Sequence, residues 1–304
     1  ACVRTAGAPL CFLGLLVTMA GYVLPQILMT SELSMMPPLN NGGVTAWVAR
    51  AFGARVGECV GLNMLLYQIV DLATYTTVVT GYAQSGGYEV PSWLPALAPF
   101  LVIMLGLAVN LLALDVATEF LGASLLVVLL PFVLGVPLAL GHASVAWALA
   151  SGQQPAVISP GGPGREGRED VNLFLSSLVW LFTGWDSFGN LAEDVADPLH
   201  LVKGMLSAAV IALAVYFVCT FGALAAGPGT WQDGYLALAY AKLWAPLGPW
   251  ICFSAAFSNS LIYTSELAVT SRFLQSLGRS SSDLPRLLPG VLQKELSSGE
   301  ERAS

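Results

Sequence analysis

Long apolar runs alternate with short polar connections along the chain. Each run is about 20 residues long, the length that an α-helix needs to cross a hydrocarbon core of roughly 30 Å. The connections are rich in glycine, proline and charged residues, as at 160–170, and predict loops. The pattern therefore predicts an all-α polytopic membrane protein with seven spans, at 8–30, 56–82, 97–114, 120–140, 172–191, 202–226 and 250–274.

The composition excludes a soluble protein with an ordinary water-facing surface. Of 304 residues, 56% are hydrophobic and only 10% are charged, against about 25% charged in a soluble domain. The net charge of -7 argues against a nucleic-acid-binding protein, which needs clustered lysine and arginine. The five cysteines are scattered and form no C-x-x-C pair. We therefore expect neither a cofactor nor a metal ion.

The distribution of basic residues and the first residue of the chain lead to two further expectations, on orientation and on completeness. More basic residues fall on one side of the predicted membrane, and the positive-inside rule then favours an external N-terminus. The chain begins at Ala1 without an initiator methionine, which indicates a fragment or a processed product. We assign 1–286 to the transmembrane domain and expect the polar tail at 287–304 to be disordered.

Three carboxylates lie within the predicted spans: Asp71, Asp186 and Glu266. A charged side chain in a span costs at least about 2.5 kcal/mol on insertion scales, so such residues usually face a cavity or a partner. No lysine or arginine in the spans is placed to neutralise them. We therefore predict a site that prefers a cation. The alternative for each residue is a protonated carboxyl, or one bonded to a hydroxyl of a neighbouring helix.

Helical spacing adds polar neighbours to two of these carboxylates. Asp71 shares its helix face with Tyr67 and Tyr75, although two tyrosines alone are also typical of ordinary packing. Glu266 belongs to a stripe along the last span that recurs with the helical period. The other members of this stripe are Asn259, Tyr263 and Thr270.

Asp186 lies in a segment that predicts a broken helix. Gly184 and Gly189 bracket it, and Trp185 and Ser187 are its direct neighbours. A helix break in the bilayer is tolerated where the exposed backbone lines a protein cavity, and free carbonyls there favour a cation. The alternative is a continuous helix whose two glycines pack against a neighbouring helix.

Several segments carry combinations of charged, aromatic and turn residues. These are Glu32-Leu33-Ser34, Pro38, Asn41-Gly42-Gly43, Trp47 with Gly53, Trp185-Asp186-Ser187, Leu191-Ala192-Glu193, Asp197-Pro198, Trp231-Gln232-Asp233-Gly234-Tyr235 and Asp283-Leu284-Pro285. Together they resemble the amino acid, polyamine and organocation transporter superfamily. The Trp-Asp-Ser triplet is the most specific of them, and it resembles the broken sixth span of the polyamine and amino acid permeases of plants, algae and trypanosomatids.

The resemblance implies a fold of twelve spans with a five-plus-five inverted repeat. It makes the seven spans of this chain the second to the eighth. The first span, which carries an unwound stretch opposite the sixth in this family, would then be absent, as would the ninth to twelfth. The resemblance thus also implies a fragment.

The function implied by the resemblance is secondary active transport, not an enzymatic reaction. The substrate would be a small cation such as putrescine, spermidine or an arginine-like amino acid, imported by proton symport with alternating access. Asp71 and Glu266 are the candidates for proton coupling. The candidate substrate-binding residues are Asp71, Tyr75, Trp185, Asp186, Ser187, Asn259, Tyr263 and Glu266. The resemblance favours the plasma membrane, with an endomembrane as the alternative.

Other functions stay open at this point. A neutral amino acid permease has the same superfamily motifs but does not need two carboxylates in its cleft. An intramembrane aspartyl protease would use Asp71 and Asp186 as an acid and base pair, yet neither lies in a Gly-x-Gly-Asp context. A truncated membrane protein that transports nothing is the third alternative. The sequence does not define the oligomeric state.

Overall fold

A computed structural model describes residues 2–36, 42–112, 114–151, 171–195, 197–227, 229 and 231–280. The polar tail predicted at 287–304 lies outside the described residues, as do the loop at 160–170, Pro38, Asn41 and the 283–285 motif. The described residues form helices and short connections.

Eleven α-helices, a π-turn and a 3₁₀ helix follow one another along the described residues. In chain order they are α1 (Cys2–Thr18), the π-turn (Met19–Val23), α2 (Leu24–Ser34), α3 (Gly43–Phe52), α4 (Ala54–Ser85), α5 (Leu94–Asn110), α6 (Leu114–Leu140), α7 (Ala143–Ala150), α8 (Val171–Leu181), the 3₁₀ helix (Trp185–Asp194), α9 (Pro198–Ala225), α10 (Tyr235–Leu243) and α11 (Leu247–Ser280).

Four helical stretches among the described residues are long and apolar enough to cross a bilayer. They are Cys2–Ser34, Ala54–Tyr82, Val116–Leu140 and Leu199–Ala225, and Leu94–Asn110 is a shorter apolar helix. The chain is thus an all-helical membrane protein with several apolar helices. The assignment of seven spans to the second to eighth spans of a twelve-span fold stays a prediction.

The first long apolar stretch changes its helical pitch at a proline. Pro25 has no amide hydrogen and cannot continue the regular hydrogen-bond pattern. Immediately before it, the Leu24 N–H donates to the Met19 carbonyl five residues back, which closes the π-turn. A π-turn is a common way to absorb such a disruption without ending a helix.

The described residues belong to two compact units. The first comprises Ala1–Leu24, Thr74–Thr183 and Ser207–Thr264, and the second comprises Pro25–Ala73, Gly184–Leu206 and Ser265–Ser304.

The core of the first unit is centred on Tyr240, a fully buried residue of α10. Its ring lies directly against Gly135 of α6 and Gly222 of α9, where neither position has room for a Cβ atom. Its hydroxyl donates to the Val218 carbonyl at 3.2 Å. The phenol is thus buried with its polar atom satisfied, which burial in an apolar core requires.

The end of α8 is also closed within the first unit. The last carbonyls of a helix have no partner in their own helix. The Leu181 carbonyl accepts a hydrogen bond from the Tyr216 hydroxyl of α9 at 2.8 Å. The Tyr216 ring meets Phe182 edge to face at 5.3 Å between centroids. α8 can therefore stop here without leaving this carbonyl exposed to lipid.

In the second unit, α3 packs against the 3₁₀ helix. Gly189 makes this approach possible, because a Cβ atom there would lie 2.7 Å from the Trp47 ring and 3.2 Å from the Gly43 Cα. Both distances are too short for a real side chain without a shift of the neighbours. Gly189 therefore allows the 3₁₀ helix to contact α3 closely.

Candidate functional site

The chain is interrupted directly before Asp186. α8 ends at Leu181 and the 3₁₀ helix begins at Trp185. Between them Gly184 has a φ of 101°, in the left-handed region that favours glycine. The Ser187 N–H then donates to the Gly184 carbonyl at 3.2 Å, which starts the 3₁₀ helix. Gly189 lies inside that helix and does not end an element.

The second unit contains all three predicted intramembrane carboxylates. Asp71 lies on α4 with 9% of its surface exposed. Asp186 is half-buried in the 3₁₀ helix, and Glu266 is half-buried on α11. Glu266 interacts electrostatically with both Asp71 and Asp186. Two acids that are far apart in sequence therefore act on Glu266.

Glu266 lies in a partly buried position on which negative charges act. In the part of the chain that the structure describes, the charges acting on it are those of Asp71 and Asp186, and no lysine or arginine is among them. Like charges in a partly buried site disfavour joint ionisation. A proton or an external cation would relieve this repulsion.

Tyr67 extends this carboxylate cluster. It is half exposed, and all three carboxylates act on its phenol group. The sequence placed it on the Asp71 face, but two tyrosines on a helix are equally typical of packing. Its proximity to Asp186 and Glu266 depends on tertiary structure that the spacing along α4 does not reveal.

Trp185 combines a covered ring with an unsatisfied donor. Its ring stacks on Phe188 at 6.1 Å between centroids and 21° between planes, and 8% of the residue is exposed. Its indole N–H is buried, and among the described residues no acceptor bonds to it. A buried polar group without a partner is rare and calls for an explanation, such as a ligand that is not present.

The remaining predicted binding residues lie in the first unit. Tyr75 is half-buried, one helical turn beyond Asp71 on α4. Asn259 uses its side-chain amide within α11, where Nδ2 donates to the Ala255 carbonyl at 3.0 Å. Tyr263 is buried. The second unit therefore holds the charged residues, Trp185 and Ser187, whereas these three residues belong to the other unit.

The chain is similar to known membrane transport proteins over most of its length. Residues 2–287 match the sequence profile of the family described as amino acid permease. The polyamine transporter RMV1 of Arabidopsis thaliana is 28% identical over 304 residues, covering 96% of this chain and 57% of the relative. The polyamine transporter PUT1 of Oryza sativa subsp. japonica is 31% identical over 283 residues, covering 88% and 49%.

A third relative, the probable polyamine transporter At1g31820 of Arabidopsis thaliana, is 28% identical over 88% of this chain and 54% of its own length. The chain thus spans about half the length of the curated relatives it matches. The family consists of transporters and not of enzymes, which excludes the protease alternative. With a match over nearly all of its residues, the chain belongs to the amino acid permease family.

Proposed function

We propose that this chain contributes the cation-binding half of a proton-coupled importer of polyamines or cationic amino acids. Asp186 and Glu266 would bind ammonium groups of the substrate, and Trp185 would contact the cation with its ring. Asp71 or Glu266 would carry the coupled proton. The plasma membrane is the expected location.

The observation that carries this proposal is the cluster of Asp71, Asp186 and Glu266 in one unit. Three carboxylates at membrane depth are costly unless a positive charge joins them. A diamine or a substrate together with a proton supplies that charge. The distant similarity to proteins named as polyamine transporters supports the same substrate class.

Uptake of radiolabelled putrescine tests the proposal. It is measured at two external pH values in transport-deficient cells that express this chain and, in parallel, the longest protein encoded by its gene. We expect saturable uptake that increases at acidic pH and is inhibited by unlabelled arginine but not by leucine. Inhibition by leucine would favour a neutral amino acid permease. Uptake by neither protein, with both present at the membrane, would favour a product that does not transport.

The unsatisfied indole of Trp185 favours a cationic amino acid as a second candidate substrate. An N–H group donates hydrogen bonds and cannot bind an ammonium group. An amino acid carries a carboxylate that could accept from this donor, whereas putrescine carries only amino groups. A substrate with one cationic end and one carboxylate would therefore satisfy both Asp186 and Trp185.

Substitution Trp185→Phe separates the two substrates. Phenylalanine keeps an aromatic ring but removes the donor. We expect the apparent affinity for arginine to fall roughly tenfold, as for a lost hydrogen bond to a charged group, and the affinity for putrescine to stay within about twofold. Competition against labelled putrescine measures both values.

The control variant is Trp180→Phe, because Trp180 lies on α8 and is largely exposed. It should leave both affinities unchanged. If Trp185→Phe weakens arginine and putrescine equally, the indole N–H does not bind a substrate carboxylate, and Trp185 acts through its ring alone.

A further inference from the structure

A buried hydrogen bond joins α4 to α11 within the second unit. The Thr270 hydroxyl donates to the Gln68 side-chain carbonyl, with 3.3 Å between Oγ1 and Oε1. Gln68 is 2% exposed and Thr270 is 5% exposed. A pair of polar side chains buried between apolar helices is retained only if both find partners, because unpaired groups there are unfavourable.

The bond lies one helical turn from two of the carboxylates. Gln68 precedes Asp71 by three residues, and Thr270 follows Glu266 by four. Residues three or four apart share one face of a helix. The bonded side chains and the two acids therefore lie on the same faces of α4 and α11.

A second contact shows the relative direction of the two helices. A Cβ atom on Gly61 would lie 2.7 Å from Cδ1 of Leu277. Gly61 precedes Gln68 by seven residues, and Leu277 follows Thr270 by seven residues. Moving from the Gln68–Thr270 bond to the Gly61–Leu277 contact therefore means going towards the N-terminus on α4 and towards the C-terminus on α11. The two segments run antiparallel, and Gly61 leaves room for the Leu277 side chain.

Asp71 and Glu266 lie on the other side of the hydrogen bond from Gly61 and Leu277. Three residues forward along α4 and four residues back along α11 bring Asp71 and Glu266 to corresponding positions, in agreement with their electrostatic interaction. The hydrogen bond therefore lies one helical turn from both interacting acids. Among the described residues, Asp186 also acts on Glu266, the charges of Asp71 and Glu266 both act on Tyr67, and Tyr263 lies one helical turn before Glu266 on α11.

We infer that Gln68 and Thr270 are positioning residues for proton coupling, holding Asp71 and Glu266 close enough that the two share a proton or bind a substrate cation. This inference rests on the proposed function. Without the bond, the two helix segments are free to slide or rotate slightly, and the carboxylates separate. Separated acids can remain ionised independently, so that substrate uptake depends less on protons.

The test is the ratio of putrescine uptake at acidic external pH to uptake at neutral pH, measured in cells expressing the full chain. This ratio does not depend on expression level, so a variant that is merely poorly folded leaves it unchanged. We expect Thr270→Val to lower the ratio roughly threefold, in keeping with the modest strength of hydrogen bonds between helices. Thr270→Ser retains the hydroxyl and should restore the ratio of the unmodified chain.

Two further variants sharpen the result. Thr264→Val is the matched control, because among the described residues the buried Thr264 hydroxyl bonds within its own helix, to the Ser260 carbonyl at 2.8 Å. It should leave the ratio unchanged. The Gln68→Leu and Thr270→Val double variant should be no worse than Thr270→Val alone, since both changes remove one interaction.

A normal ratio in Thr270→Val, with acid-stimulated uptake by the unmodified chain, overturns the inference and leaves the proposed function intact. An additive effect in the double variant also overturns it. Absence of both putrescine and arginine uptake, at either pH and by both the unmodified chain and the longest protein encoded by its gene, overturns the proposed function and the inference together. If only arginine is carried, the same ratio is measured with labelled arginine.

Discussion

Substitution of Asp186 by asparagine is expected to abolish saturable putrescine uptake at micromolar concentrations. Asparagine keeps the size and the carbonyl oxygen of aspartate but loses the charge. Asp186 is half-buried and follows the chain interruption at Gly184, so its contact with an ammonium group is partly shielded from water. Loss of one member of such a charge pair costs about 3 kcal/mol, which weakens apparent affinity by roughly 100-fold.

The matched control neutralises another aspartate close by in the chain. Asp197 accepts the Leu199 N–H at 2.9 Å and thereby caps α9. Asparagine caps a helix as well as aspartate does, so Asp197→Asn should transport normally. Concentration-dependent uptake, corrected for the amount of protein in the membrane, measures both variants. Normal affinity in Asp186→Asn would remove this residue from the proposed site.

Substitution Glu266→Gln is expected to eliminate the stimulation of uptake by external acid. Both Asp71 and Asp186 act on Glu266, so a proton on Glu266 would relieve this repulsion when the substrate cation leaves. Glutamine is neutral at every pH. The remaining uptake should therefore be slow and similar at acidic and neutral pH, a qualitative change from the behaviour of the unmodified chain.

Glu58→Gln is the control for this experiment, because Glu58 lies on α4 and is half-buried, as Glu266 is on α11. It should retain the acid stimulation. If Glu266→Gln keeps a full pH response, the coupled proton is carried elsewhere. Asp71→Asn is then the variant that should lose the response, because Asp71 is the other candidate.

The helical character and the membrane location follow from local properties of the chain. Runs of about 20 apolar residues and a low charge content are sufficient for both, because the bilayer admits few other backbone arrangements. Asp71, Asp186 and Glu266 could likewise be singled out one at a time, since an acid within an apolar run is conspicuous.

The relation of these acids to one another could not be predicted from the residues alone. Asp71 and Glu266 lie on helices separated by most of the chain, and no spacing rule connects them. The same applies to Gln68 and Thr270. Glutamine and threonine in an apolar helix have no distinctive pattern, and only the packing of α4 against α11 gives them a common role.

The separate roles of Gly184 and Gly189 also could not be predicted from the sequence. The pair Gly184 and Gly189 predicted a weak point in the helix, but their roles differ. Gly184 adopts a left-handed conformation between α8 and the 3₁₀ helix, whereas Gly189 makes room for Trp47. Both roles require glycine, and the sequence does not distinguish them, because one is set by a local dihedral angle and the other by a distant ring.

The contact of Gly189 with Trp47 also restricts how these two positions can change during evolution. The ring occupies the volume that a side chain at 189 would need. A larger residue at 189 is compatible with the fold only if position 47 becomes smaller and the backbone at Gly43 shifts by a few tenths of an ångström, and a substitution at either 47 or 189 alone leaves a clash or a void. The two positions are therefore constrained to covary, although 141 residues separate them in the chain.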